Sequence, residues 1–162
     1  MSDLKAKDVM TTRVVTVRDD LTIAELADVL LENEISGAPV VDENNQLTGV
    51  VSVLDLARQS SSEGDLASEG GSPEFFVRGW EEQYSAEELR RLRVRKSNLT
   101  VRQVMTPAVF TVSEEDPIDD VAQTLVQAHI HRVLVTRDSM LVGIISSLDL
   151  LRAYLDEGVA TR

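Results

Sequence analysis

Leu47-Thr48-Gly49-Val50-Val51-Ser52-Val53-Leu54-Asp55-Leu56-Ala57-Arg58 is the stretch whose reading decides the fold, and it returns near the C-terminus as Leu141 to Arg152, L-V-G-I-I-S-S-L-D-L-L-R. In both places a Gly opens a short β-branched run, a Ser follows, and an Asp three residues later enters a helical pattern. That order reads as strand, sharp turn, helix N-terminus. A helix N-terminus carries unpaired N–H groups and a partial positive charge, which suit an anion. The Asp carboxylate can accept two hydroxyl hydrogen bonds, as a ribose diol would offer. Phosphate beside ribose implies a nucleotide.

Working outward, the sequence overlies itself at a shift of 95 residues. Leu4, Val9, Met10, Thr11, Val14, Thr16 and Val17 fall on Leu99, Val104, Met105, Thr106, Val109, Thr111 and Val112. Ile23, Ala27, Leu30, Ile35 and Val40 fall on Ile118, Ala122, Leu125, Ile130 and Val135. After a one-residue deletion near Ser139, Gly49, Ser52 and Asp55 fall on Gly143, Ser146 and Asp149. Register held this long marks an internal duplication. Each copy is expected to run strand, helix, strand, strand, helix. Arg13 to Val17 is the first strand. Thr22 and Glu25 form a capping box, and Asp116 and Pro117 take the matching N-cap and N1 places. Ile23, Leu26, Ala27, Leu30 and Leu31 give the helix one apolar face, and Ile118, Val121, Ala122, Leu125 and Val126 repeat it. A hairpin follows, Ala38 to Val41 with Leu47 to Val51, or Val133 to Thr136 with Met140 to Ile145. The last helix starts near Leu54 or Leu148, and the second copy's continues to about Asp156. A unit of about 55 residues buries too little surface to stand comfortably alone. The expected fold class is therefore α+β, an α/β sandwich of two pseudo-twofold paired repeats, spanning 1–58 and 99–162. Remaining helix faces would join two chains as a homodimer.

Residues 59–98 have no counterpart in either copy. Gln59 to Pro73 reads as a Ser/Gly/Glu-rich loop. Phe75, Phe76 and Trp80 cluster after it, and Ser85 to Glu88 is a capping box opening a helix to about Arg95, with a basic tip ending at Lys96. The plain reading is a docked connector helix. The sharper one makes the aromatics a docking surface or the basic tip a phosphate contact.

The totals exclude several classes. A net charge of −12 argues against a general nucleic-acid binder, DNA included. No apolar run could span a bilayer, so no membrane partner is expected. Without Cys there is no disulfide and no thiolate metal site. The polar N-terminus lacks a signal-peptide core, which makes a cytoplasmic location the expectation. There is no G-x-S-x-G, P-loop, H-E-x-x-H or G-x-G-x-x-G, and no enzyme is expected.

Three pairs of motifs together carry a resemblance: V-M-T-T-R-V-V-T-V with V-M-T-P-A-V-F-T-V, I-S-G-A-P-V-V-D with I-H-R-V-L-V-T, and G-V-V-S-V-L-D-L with G-I-I-S-S-L-D-L. The chain resembles a tandem pair of cystathionine β-synthase (CBS) domains, a Bateman module, over about 1–58 and 99–162. The resemblance implies two clefts that take AMP, ADP, ATP or S-adenosylmethionine, and a sensor that regulates a partner protein and is not itself catalytic. No cofactor is required, with Mg2+ an optional companion of the nucleotide. Carried over residue by residue, the first site comprises Val14 and Thr16, then Ile35, Ser36, Gly37, Ala38 and Pro39, then Ser52 and Asp55. The second comprises Val109 and Thr111, then Ile130, His131, Arg132 and Val133, then Ser146 and Asp149. The resemblance implies that His131 and Arg132 hold the phosphates of a nucleotide whose ribose sits on Asp55. The first copy has Ser36 and Gly37 in their place.

Plainer uses of the same residues stay open. Each Ser-x-x-Asp is also a capping box, a role compatible with ribose binding. Gly37 and Pro39 also suit the turn into a strand. His129 and His131 form an H-x-H pair without a visible third ligand. The acidic run Glu114, Glu115, Asp116, Asp119 and Asp120 suits a solvated helix start, with magnesium as its alternative. Three functions follow for testing: an adenine-nucleotide sensor, an interaction module docking through Phe75, Phe76 and Trp80, and a metal or Mg-nucleotide sensor.

Overall fold

The computed structural model describes residues 3–60, 74–77, 98–107 and 109–160. In chain order its elements are α1 (Ala6–Val9), β1 (Val17–Arg18), α2 (Ile23–Glu32), β2 (Gly37–Val41), β3 (Leu47–Ser52), α3 (Val53–Ser60), α4 (Glu74–Val77), α5 (Val101–Val104), β4 (Thr111–Ser113), α6 (Ile118–Ala128), β5 (Arg132–Arg137), β6 (Met140–Ser146) and α7 (Ser147–Ala160). Trp80 and the helix expected over 85–95, with its basic tip, lie outside the described residues. Two compact units result: Met1–Val14 with Phe110–Arg162, and Val15–Val109.

Each unit is built as the repeat predicts, a three-stranded sheet with helices. In the Val15–Val109 unit the order is β1-β2-β3, with β1 parallel to β2 and β2 antiparallel to β3. The parallel pair requires a crossover, which α2 provides. Thr22 caps that helix: its hydroxyl accepts from the Glu25 N–H, while the Glu25 carboxylate accepts from the Thr22 N–H at 2.8 Å. Such a cap contributes about 1 kcal/mol. Leu26 and Leu30, one turn apart, are fully buried with Val17, Ala38, Val40, Val51, Val53 and Leu56. The other unit repeats the order as β4-β5-β6, with α6 as the crossover.

Two expectations shift. The first strand was expected over Arg13 to Val17, yet only Val17 and Arg18 pair, with Val40 and Val41. Asp116 is not the N-cap of α6. Pro117 takes that place and the helix opens at Ile118, because the Asp116 carboxylate accepts from the Ser113 N–H at 2.8 Å.

The head of each repeat is built into the unit that holds the other repeat's hairpin. In the Val15–Val109 unit, Thr106 exchanges both backbone hydrogen bonds with Val50 at 2.9 Å, and the Arg102 guanidinium donates twice to Asp19, at 2.6 and 2.9 Å. In the other unit Thr11 bridges to Ile144, and Lys5 and Lys7 donate to the two oxygens of Glu115. Those ammonium groups hold the Glu115 carboxyl down at about 2. The glycine of the opening stretch makes this possible. A Cβ at Gly49 would lie 2.6 Å from the Thr106 carbonyl oxygen, and one at Gly143 would lie 2.5 Å from the Met10 sulfur. The V-M-T motif and the Gly of each hairpin are therefore two sides of one packing contact.

Among the described residues no helix is long and apolar enough to cross a membrane.

Candidate ligand site

Strand gives way to helix with no residue between them, at Ser52–Val53 and at Ser146–Ser147. The Ser-Asp spacing closes each turn. The Ser52 N–H donates to Asp55 Oδ2 at 2.7 Å, and the Ser146 N–H to Asp149 Oδ2 at 2.8 Å. Each Ser hydroxyl also donates to that oxygen, Ser52 at 3.2 Å and Ser146 at 2.6 Å, and the Ser146 hydroxyl accepts from the Asp149 N–H at 3.2 Å. Both capping roles are thus present, and each uses one carboxylate oxygen. The first N–H of each helix is also engaged: Val53 donates to the Ser36 carbonyl at 2.8 Å and Ser147 to the His131 carbonyl at 2.9 Å. The N-terminus offered to an anion is smaller by one group than the sequence suggests.

The second oxygen separates the copies. Asp149 Oδ1 has no hydrogen-bond or ion-pair partner among the described residues. Asp55 Oδ1 faces Arg58 Nη1 at 3.6 Å, and Asp55 is only 9% exposed. Arg152 holds the place of Arg58 in the second copy, but it is exposed and forms no ion pair among the described residues. Reading D-L-A-R and D-L-L-R as i, i+3 pairs on a helix would have raised Arg58 as a candidate partner.

The strands bring the rest of each set together. Gly37 lies opposite Ser52 in the β2–β3 register, and Arg132 lies opposite Ser146 in the β5–β6 register. Opposed residues share a sheet face, so Arg132 and the Ser146 turn belong to one face. Ala38, Pro39, Ile130 and Val133 are buried, Ile35, Ser36 and Gly37 half-buried. Burial pushes the half-buried Arg132 guanidinium below its ordinary value, a sign that its charge is poorly solvated. His131 is exposed. The expected Val14–Thr16 and Val109–Thr111 pairs are divided, because the units change at Val14/Val15 and Val109/Phe110.

Phe75 and Phe76 are not a docking surface. They are 6% and 0% exposed, their rings meet edge to face at 5.0 Å, and α4 packs on β3. Trp80 lies outside the described residues. Four of the five residues of the acidic run have protein partners: Glu114 with Arg137, Glu115 with Lys5 and Lys7, Asp116 with the Ser113 N–H, and Asp119 with the Tyr154 hydroxyl at 2.7 Å. His129 ends α6 in a left-handed conformation, φ 54°. Among the described residues no three His, Cys, Asp or Glu side chains are grouped to hold a metal.

Comparison with known proteins gives a consistent picture. The CBS domain matches residues 6–62 and 101–156. The CBS domain-containing protein CBSX1, chloroplastic, of Arabidopsis thaliana is 31% identical over 140 residues, which are 86% of this chain and 58% of that protein. The chain spans 62% of the related CBSX2, so it covers under two thirds of either relative. Among solved structures, the CBS domain of a CBS domain-containing membrane protein from Sphaerobacter thermophilus superposes with a TM-score of 0.64 at 33% identity, covering 92% of this chain and 86% of that one. CBSX2 of Arabidopsis thaliana in complex with AMP superposes with a TM-score of 0.65 at 25% identity, covering 95% and 98%.

Proposed function

On the premise that the chain belongs to the CBS domain family, as a tandem pair of such domains, we propose that it is a regulatory module that binds an adenosine-containing ligand and modulates a partner protein. The observation that carries this reading is the Ser146–Asp149 turn. It ends a strand beside Arg132, opens a helix, and leaves one carboxylate oxygen able to accept two hydroxyls. A ribose diol satisfies that oxygen, and the half-buried Arg132 can donate charge-assisted hydrogen bonds to a phosphate. The AMP held by CBSX2 is a ligand of this chemistry. His131, exposed at the head of the same strand, is a second phosphate donor when protonated. The chain acts as a sensor and not an enzyme: ligand stabilises one arrangement of the molecule, and the partner reads that arrangement. Such a shift is only as large as the ligand's differential affinity for the two arrangements.

A thermal-shift series with AMP, ADP, ATP and S-adenosylmethionine tests the reading, with and without Mg2+. A ligand that binds only the folded state raises the melting temperature; at a hundred times its Kd it adds about 2.7 kcal/mol. AMP is expected to give a saturable rise that adenosine-free phosphates do not reproduce. A flat response to all four compounds refutes the proposal.

The proposal includes a homodimer. Leu151 and Leu155, one turn apart on α7, are exposed apolar side chains. Burying such a stripe against a second copy removes apolar area from water at about 25 cal/mol per Å². Light scattering at micromolar concentration is expected to give twice the chain mass, and Leu151→Glu with Leu155→Glu to halve it. A monomer mass for the unaltered chain removes this part of the proposal.

A further inference from the structure

We infer that Arg58 belongs to the ribose seat of the first copy: its guanidinium and the Asp55 carboxylate together read one ribose hydroxyl, the carboxylate accepting from it and the guanidinium donating to it. The inference rests on reading the Ser-x-x-Asp turn as a ribose site.

The two turns differ in what stands beside the carboxylate. Asp55 is 9% exposed, and Arg58, one turn further along α3, brings Nη1 to 3.6 Å from Asp55 Oδ1. That is an ion pair, but it is too long for a hydrogen bond. The other carboxylate oxygen, Oδ2, is committed to the Ser52 N–H and hydroxyl. Arg58 has itself mostly left water: its side chain is 30% exposed, and its Nε is buried without an acceptor. Buried donors are nearly always hydrogen-bonded, so one left without an acceptor calls for a partner. A carboxylate only accepts and a guanidinium only donates, whereas a hydroxyl does both. An oxygen can lie within hydrogen-bond reach of both ends of the 3.6 Å gap, giving its hydrogen to Asp55 and accepting one from Arg58. The second copy offers no such pair, because Arg152, in the place of Arg58, is exposed and forms no ion pair among the described residues. A site that holds a hydroxyl from two sides rejects an analogue lacking it, since the protein groups are then left buried and unpaired. Arg58 therefore sets a preference for ribose over deoxyribose in the first copy.

Calorimetry with AMP, 2′-deoxy-AMP and 3′-deoxy-AMP tests this in the full chain carrying Asp149→Asn, which removes the second copy's ribose acceptor. AMP is expected to bind, and Arg58→Ala to weaken it about tenfold or more, the scale of a hydrogen bond to a charged group. For one of the two deoxy analogues Arg58→Ala is expected to change the affinity less than about twofold, because the hydroxyl that Arg58 reads is already gone. Equal losses for all three nucleotides assign Arg58 to holding the turn and overturn the inference, as does an unchanged AMP affinity. AMP binding to the unaltered chain but not to Asp149→Asn also overturns it, while the nucleotide reading stands. No AMP binding to either chain overturns both. If Arg58→Ala does not fold, judged by circular dichroism, Arg58→Met keeps an unbranched stem without a donor and is read by the same criteria.

Discussion

Replacing Arg132 with alanine weakens AMP binding tenfold or more and leaves adenosine binding nearly unchanged. A hydrogen bond to a charged group contributes about 1.5–3 kcal/mol, and each 1.4 kcal/mol is a factor of ten in Kd. Arg132 begins β5 opposite Ser146, on the sheet face that carries the Ser146–Asp149 turn. Its burial, which already lowers its pKa, means that little water competes with an arriving phosphate. Arginine also offers two parallel donors to two phosphate oxygens, so Arg132→Lys keeps the charge but loses the fork and should fall between the two. Adenosine is the control because it keeps the ribose and base and lacks the phosphate. Calorimetry giving the same AMP affinity for Arg132→Ala and the unaltered chain removes Arg132 from the site. An equal loss for adenosine and AMP assigns it to holding the Ser146 turn instead.

What the sequence disclosed here depended on the reach of each signal. The apolar period of α2, the Thr22–Glu25 cap and the two hairpins are local patterns, and they stand in the structure close to where the spacing put them. The Ser-x-x-Asp turns are local too, and both close as expected. Contacts between distant residues were hidden. Nothing in V-M-T says that Thr106 will pair with Val50, or Thr11 with Ile144; only the matching glycines, which leave room for those segments, record it. The seat of Phe75 was hidden for the same reason: the sequence offered both a docked connector and an exposed docking surface, and what decides for docking is a missing side chain at Gly37. Arg58 lay within reach of a helical-pair reading, but its weight depends on a burial that sequence does not state.

Leu30→Ala is expected to cost about 2–5 kcal/mol of stability. Removal of a buried leucine side chain loses its transfer free energy and leaves a cavity that neighbours only partly refill. Leu30 is 0% exposed, one turn beyond Leu26 on α2, and is enclosed with β-branched residues of β2 and β3, namely Val40 and Val51. Such side chains have few rotamers with which to close a gap, which places the cost toward the upper part of that range. A small domain has only about 5–15 kcal/mol in all, so this one change removes a large share. Val126, also apolar and on the equivalent helix, is 72% exposed, and Val126→Ala should stay within about 0.5 kcal/mol. Urea titration compares the two: Leu30→Ala lowers the midpoint with an unchanged slope, while Val126→Ala leaves it in place. Equal midpoints for the two variants would show that the apolar face of α2 is not the packed core its spacing predicts.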